Sequence, residues 1–252
     1  MLENLNQSFP EARIDILVRK GNESLFDKHP FLNEVLIWKK KDGKYKSLIA
    51  ILKQIRANQY DWVINIQRFG STGFLTAFSK APLKSGFDKN PFSFTFSHRV
   101  PHVMNDGKHE IKRNHTLIDH EVKSAVCRPT LYPSAADFNF VTDFKSKPYI
   151  CMAPASVWFT KQFPVEGWIK LIQALAGQYP IYLLGAPSDE HLGQAILKKI
   201  AKNHQVTNLM GKLSFLQSAA LMKDARMNYV NDSAPMHLCS AVNAPVTAIY
   251  CS

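Results

Sequence analysis

Four short stretches hold most of the side chains able to do chemistry: "APASVWFTKQFP" from Ala153, "GAPSDE" from Gly185, "GKLS" from Gly211 and "NDSAPMH" from Asn231. Each mixes small residues with hydroxyls or charge, and each stands where a β-rich run gives way to a helical pattern. Small residues ahead of a helix let free backbone N–H groups and the positive end of the helix dipole meet an anion. Ser156 and Thr160 add hydroxyl donors and Lys161 a full positive charge, a set suited to a phosphate and its ribose. Ordinary explanations compete with this one. Asp232 and Ser233 would equally well cap the next helix, Asp189 likewise, and Lys161 would serve as a solvated surface lysine. Four such turns converging on one sheet edge favour the binding reading.

The elements that must position these turns alternate along the chain. "RIDILVR" (13–19), "EVLIW" (34–38) and "DWVINI" (61–66) read as strands, and Leu48, Ile49, Ile51, Leu52 and Ile55 recur at helical spacing between the last two. "PFSFTFSH" alternates Phe92, Phe94 and Phe96 with small polar residues, as a half-buried strand or extended loop does. Helical periodicity resumes from His109 to about Ser124. From Cys127 to Pro148 turn formers dominate without a sustained period, which predicts a linker. Beyond it come "YICMAP", "PIYLLG", "TNLM", "MNYV" and "VTAIYC" as strands, with helices between them, the last being "APMHLCSAV". Alternation of this kind marks βαβ units on a parallel sheet. The expected architecture is α/β with two doubly wound domains, 1–140 and 148–252, and ligands bind such sheets at the carboxyl ends of the strands.

Composition narrows the function classes. A chain of 252 residues, 46% hydrophobic, buries a real core. No run approaches the roughly 18 apolar residues of a membrane span, and the first residues lack a signal-peptide pattern. A cytoplasmic protein is expected. Cys127, Cys151, Cys239 and Cys251 show no paired spacing, so neither disulfides nor zinc are indicated. "HEIKR" is not HExxH, because Arg113 replaces the second histidine, and His109, His115 and His120 are not four apart; no metal and no cofactor are expected. Of the formal charge of +11, much lies in Lys39, Lys40, Lys41, Lys44, Lys46, Lys53 and Arg56, which face one Asp42. A solvated helix entrance or attraction to an anionic substrate or membrane surface explains it. With no nucleic-acid motif beside the charge, nucleic acid is not an expected partner.

"APASVWFTKQFPVEGW", "LLGAPSDE", "NLMGKLS" and "NDSAPMHLCSAVNAPVTAIY", in this order and spacing, resemble glycosyltransferase family 9, the ADP-heptose:lipopolysaccharide heptosyltransferases. Fainter matches, "FPEARIDILVRKGNESLFDKHPFLNEVL", "DWVINIQ", "SGFDK" and "HEIKRN", extend the resemblance over almost the whole chain. It implies a GT-B enzyme: two Rossmann-like domains facing a central crevice, the donor nucleotide on the C-terminal one, the acceptor on the N-terminal one, inversion at the anomeric carbon, and no metal. The implied reaction moves heptose from an ADP-heptose donor to a Kdo-lipid A type acceptor of the lipopolysaccharide inner core, with peripheral contact at the cytoplasmic face of the inner membrane as an option. Lys161 would stabilise the leaving diphosphate, with Ser156 and Thr160 donating to it. The turn Asp232, Ser233, Ala234, Pro235 and His237 would close the pocket, His237 facing the diphosphate. Asp189 and Glu190 would hold the ribose, Leu213 would lie against the base, and Lys112 and Arg113 would face the anionic acceptor.

Two departures from the family pattern stand out. Ala155 and Ala234 occupy positions where the family usually has glycine, which would cost about 1 kcal/mol at any left-handed backbone site. The family also opens with a strand and an "SLGD"-type loop whose aspartate is the presumed general base, and no acid of the first unit matches it. The resemblance therefore implies a chain lacking that strand and loop, the general base with them, and the last part of the donor domain. A nucleotide-sugar-binding fragment or degenerate paralogue without turnover, or another GT-B nucleotide-sugar enzyme, is the competing expectation.

Overall fold

The computed structural model describes residues 1–41, 43–175, 177–201 and 205–251; Asp42, which stands among the lysines of the basic stretch, lies outside them. Two compact units form, Met1–Glu23 with Pro30–Arg128, and Ser24–His29 with Pro129–Ser252.

The first unit contains α1 (Leu2–Ser8), β1 (Ile14–Arg19), β2 (Leu32–Trp38), α2 (Lys44–Ala57), β3 (Trp62–Asn65), α3 (Gly70–Ala77), β4 (Leu83–Phe87), β5 (His98–Val100) and α4 (Glu110–His115). β1 pairs in parallel with β2, and β3, β4 and β5 form a parallel ladder in that order. On α2 the apolar residues Ile51, Leu52 and Ile55 share one face, and they pack with Leu36, Trp38 and Leu75. Lys39, Lys40, Lys41, Lys46, Lys53 and Arg56 are all exposed, so this stretch is a solvated basic face.

Several elements differ from expectation. α3 and β4 carry little local signal, because "GSTGFLTA" holds two glycines and two threonines and "LKSGF" is interrupted by Gly86. Gly73 is there for room: a Cβ on it would lie 1.9 Å from Asn90 Oδ1. Asn90 in turn donates to the Gln67 and Phe69 carbonyls at 3.1 Å each, stitching the start of α3 to the loop after β4. "PFSFTFSH" makes a 3-10 turn at Ser93–Thr95 before β5 begins at His98. The helix expected through Ser124 stops at His115, after which Leu117, Ile118 and Val122 bury themselves from turns.

The second unit contains α5 (Ala135–Phe140), β6 (Ile150–Ala153), α6 (Val165–Leu175), β7 (Ile181–Leu183), α7 (Glu190–Lys199), β8 (Val206–Asn208), α8 (Phe215–Lys223), β9 (Met227–Asn231), α9 (Ala234–Ala241) and β10 (Val246–Ile249). The stretch from Cys127 to Pro148 is thus no plain linker. Ser134 and Asp137 box the start of α5, Val141 is fully buried, and the change of unit falls at Arg128 and Pro129. A helix of six residues is too short for its period to register.

All five strands of this sheet run parallel, in the order β10-β9-β6-β7-β8. The first strand of the unit is therefore central, its successors extending to one side and the fourth and fifth strands to the other. β6 is buried throughout and its residues alternate between two cores. Cys151 and Ala153 pack with Ala219, Leu221, Leu238 and Cys239 on the α8 and α9 face, while Ile150 and Met152 pack with Trp168, Ile172 and Ile196 on the α6 and α7 face. Burial on both faces is what a doubly wound sheet demands of its central strand. The same burial pushes the Cys151 thiol up and that of Cys239 up to about 12, so both behave as small hydrophobes.

Candidate functional site

In a sheet of this order the direction of winding reverses between β6 and β9, and the crevice outside their carboxyl ends is where ligands bind. The residues found there are the loop Pro154–Pro164, which follows β6, and Asp232 and Ser233, which follow β9. Lys161 ends a 3-10 turn, Phe159–Lys161, and its Nζ lies 2.5 Å from Asp232 Oδ2. The pair is part-exposed, at 42% and 25% of its side-chain surface, so an incoming anion can reach the ammonium.

Capping does not explain Asp232. The N-cap of α9 is Ser233, among the described residues no side chain bonds the first-turn N–H groups, and the Ser233 hydroxyl instead donates to the Ala155 carbonyl at 3.4 Å. The positive end of α9 thus meets the crevice without a side-chain acceptor. Ala234 opens that helix, Pro235 stands at its second position, and His237 is exposed one residue after Met236.

Asn231, the last residue of β9, holds the two loops together, and the sequence reading passed over it. It is fully buried. Its Nδ2 donates to the Pro154 carbonyl at 2.7 Å, and its Oδ1 accepts from the Phe163 N–H at 3.2 Å. Both ends of the Lys161 loop are therefore tied to the strand that presents Asp232. Gln162 closes the loop on itself, its Nε2 donating to the Ser156 carbonyl at 2.7 Å. Ser156 is half-buried and Thr160 exposed, while Val157, Trp158 and Phe159 stand out into solvent at 95%, 68% and 86% exposure.

The other two turns form a second group. Gly211 donates its N–H to the Gly185 carbonyl at 3.0 Å, and at φ +75 with Pro187 Cα 2.8 Å from any added Cβ it has to be glycine. Asp189 Oδ2 accepts from the Ala186 N–H at 2.8 Å and its Oδ1 from the Ser188 hydroxyl at 3.3 Å, so this carboxylate shapes its own turn. Glu190 is exposed at the start of α7, and Leu213 is half-buried against the α8 and α9 core.

In the first unit, Lys112 is exposed but Arg113 is not the free cation expected beside it. The Arg113 guanidinium is buried, donates to the Val103 and Lys108 carbonyls, and pairs with Glu110 and Asp106. The Lys108 N–H, then the Arg113 guanidinium, hold the Asp106 carboxyl below the usual range. Arg113 folds the 103–110 loop. Arg113→Gln is accordingly expected to lose about 1.5 to 3 kcal/mol of charge-assisted bonding and several degrees of Tm in a thermal melt, whereas Lys112→Gln leaves the melt unchanged.

Neither Ala155 nor Ala234 has positive φ. The alanines therefore impose no backbone strain. Restoring glycine should bring no gain: Ala234→Gly is expected to leave ADP affinity within about twofold and to cost a few tenths of a kcal/mol at a helix start, measured by calorimetry and melting. A tenfold tighter Kd would show that the methyl group obstructs the ligand.

Residues 48–252 match the model of glycosyltransferase family 9 (heptosyltransferase). Lipopolysaccharide heptosyltransferase 3 of Escherichia coli is 26% identical over 99% of this chain and 78% of its own length. Among solved structures, a family 9 glycosyl transferase from Veillonella parvula superposes with a TM-score of 0.87 at 18% identity, over 98% of this chain and 74% of that one. The E. coli heptosyltransferase WaaC, solved with ADP, gives 0.77 at 21% identity, over 99% and 80%.

Proposed function

This chain belongs to glycosyltransferase family 9, the heptosyltransferases, and on that premise we propose that it transfers heptose from ADP-heptose to the inner core of lipopolysaccharide, with inversion and without a metal in the transfer step. Enzymes of this kind are GT-B glycosyltransferases, and the two Rossmann-like units are of that type. The observation that carries the reading is the Lys161 ammonium beside the uncapped start of α9 at the β6/β9 switch. A departing nucleoside diphosphate develops negative charge as the glycosidic bond breaks, and preorganised cations and amides aimed at that charge lower the barrier. Lys161 and the first turn of α9 supply both, with Ser156, Thr160 and His237 able to donate to the phosphates.

Ribose contact falls to Glu190 and base contact to Leu213, while Asp189 acts through the turn it shapes. Ala234 and Pro235 let the backbone of the Asp232–His237 turn come close to the diphosphate, and Ser233 fastens that turn to Ala155. On the first unit Lys112 faces an acidic, lipid-linked acceptor of the Kdo-lipid A type, and Arg113 supports it by ordering the preceding loop. Among the described residues no helix is long and apolar enough to cross a membrane; the exposed basic face of α2 suits peripheral contact with an anionic bilayer at the cytoplasmic side.

The test is ADP release by the purified chain, measured with ADP-heptose and a Kdo-lipid A acceptor, each omitted in turn. Release that needs both substrates supports transfer. Binding of ADP with no acceptor-dependent release would make the chain a nucleotide-sugar binder, and equal use of a UDP-sugar would remove the donor assignment.

A further inference from the structure

We propose that His98, Asp119 and His120 of the first unit form a binding site for a divalent cation of the zinc class, a site separate from the donor crevice and independent of the transferase reading. One ligand atom from each residue lies within 4.8 Å of the other two. The sequence spacing shows no such motif, because His98 stands on β5 and the other two in the turns after α4; the fold brings them together.

The two imidazoles are held differently, and both arrangements favour a cation. His98 Nε2 faces the Thr116 carbonyl at 3.4 Å, the contact an N–H makes, and in the neutral ring with Nε2 protonated the lone pair on Nδ1 is left for a cation. Anchoring the second ring nitrogen on a backbone carbonyl is how metal-bound histidines are oriented. His120 has both ring nitrogens buried with no hydrogen-bond partner, which is rare for polar atoms out of water. Its ring stacks on His98, centroids 3.6 Å apart at 18°, and stands against Trp62 at 5.4 Å and 79°. Stacking leaves the nitrogens unsatisfied, since their lone pair and N–H lie in the plane of the ring. A cation at the edge of the stack takes that lone pair.

Loading requires a small rearrangement. Tetrahedral zinc with bonds of about 2.0 to 2.1 Å holds its ligand atoms about 3.4 Å apart, so the cluster must tighten and the two rings must fan open around the ion. The parts that move are free to do so: Asp119 is exposed and His98 half-exposed. The fixed wall is Trp62, whose Nε1 donates to Ser85 at 2.9 Å. Two imidazoles and one carboxylate select zinc and its neighbours over magnesium or calcium, which prefer all-oxygen shells. The bound ion would clip β5 to the turns after α4, with water completing its coordination.

Calorimetric titration of ZnCl2 into the chelator-treated full chain, in a phosphine reductant, tests this. One equivalent should bind with a rise in Tm, and MgCl2 should produce neither. Asp119→Asn is expected to weaken zinc binding about tenfold, and His98→Gln or His120→Gln on the order of a hundredfold. Cobalt bound in place of zinc should show a visible d–d band without the near-ultraviolet band of a thiolate ligand. Absence of saturable zinc binding overturns the site. So does an unchanged affinity in the histidine variants, if circular dichroism shows them folded. Should those variants fail to fold, Asp119→Asn decides at its exposed position, where unchanged affinity removes the three-ligand site.

Discussion

Lys161→Ala is expected to weaken the binding of ADP by more than tenfold while the protein stays folded. A lost charge-assisted contact to phosphate is worth about 1.5 to 3 kcal/mol. The structure adds a second penalty. With the ammonium gone, Asp232, 2.5 Å from it in the intact pair, is left as an uncompensated carboxylate beside a polyanion. Because this pair is part-exposed, water screens that repulsion but does not remove it. A compensating change follows. Asp232→Asn placed in the Lys161→Ala background should recover about threefold or more of the lost affinity, and the double-mutant cycle should show the two residues coupled. Thermal melts without nucleotide should barely differ, since no helix cap is lost. Calorimetry with ADP makes the comparison, and an unchanged Kd for Lys161→Ala would take this residue out of the site.

What the sequence could show of this site followed from local chemistry. The four turns stand out because strands and helices alternate around them, and because small residues and hydroxyls collect where helices begin. Strand order was not legible, since alternation says nothing of which strand inserts beside which, and it is the placing of β9 next to β6 that brings Asp232 to Lys161. Arg113 beside Lys112 reads as a basic patch; its burial depends on the 103–110 loop folding back over it, which no periodicity records. His98 and His120 are silent for the same reason. Asp189 was legible as an N-cap; it does stand at the N-cap position of α7, but its carboxylate makes no cap bond to that helix and accepts instead from the Ala186 N–H behind it.

Asn231 was invisible because its work is long-range: its partners are 77 and 68 positions away. Asn231→Leu is expected to be the most damaging single change at the site. A leucine has the same heavy-atom branching but no polar atoms, so it leaves the Pro154 carbonyl and the Phe163 N–H unpaired under a buried side chain, at about 1 to 3 kcal/mol each. Lower stability follows, with a fall in Tm on the order of 10 °C. Lost stability alone would say little about function, so Asn228 serves as the control. It lies on the same strand, equally buried, with its Nδ2 donating to the Met222 and Pro245 carbonyls at 2.9 and 2.8 Å, away from the ligand edge. Asn228→Leu should therefore lose comparable stability and keep its affinity for ADP. Asn231→Leu, assayed well below its melting temperature, should bind ADP at least tenfold more weakly, because the loop carrying Ser156, Thr160 and Lys161 is no longer fixed to the strand that presents Asp232. Asn231→Asp should fall between the two: it still accepts from Phe163, but it cannot donate to Pro154 and sets a second negative charge next to Asp232. Equal ADP affinities in Asn231→Leu and Asn228→Leu would mean that Asn231 supports the fold and not the site.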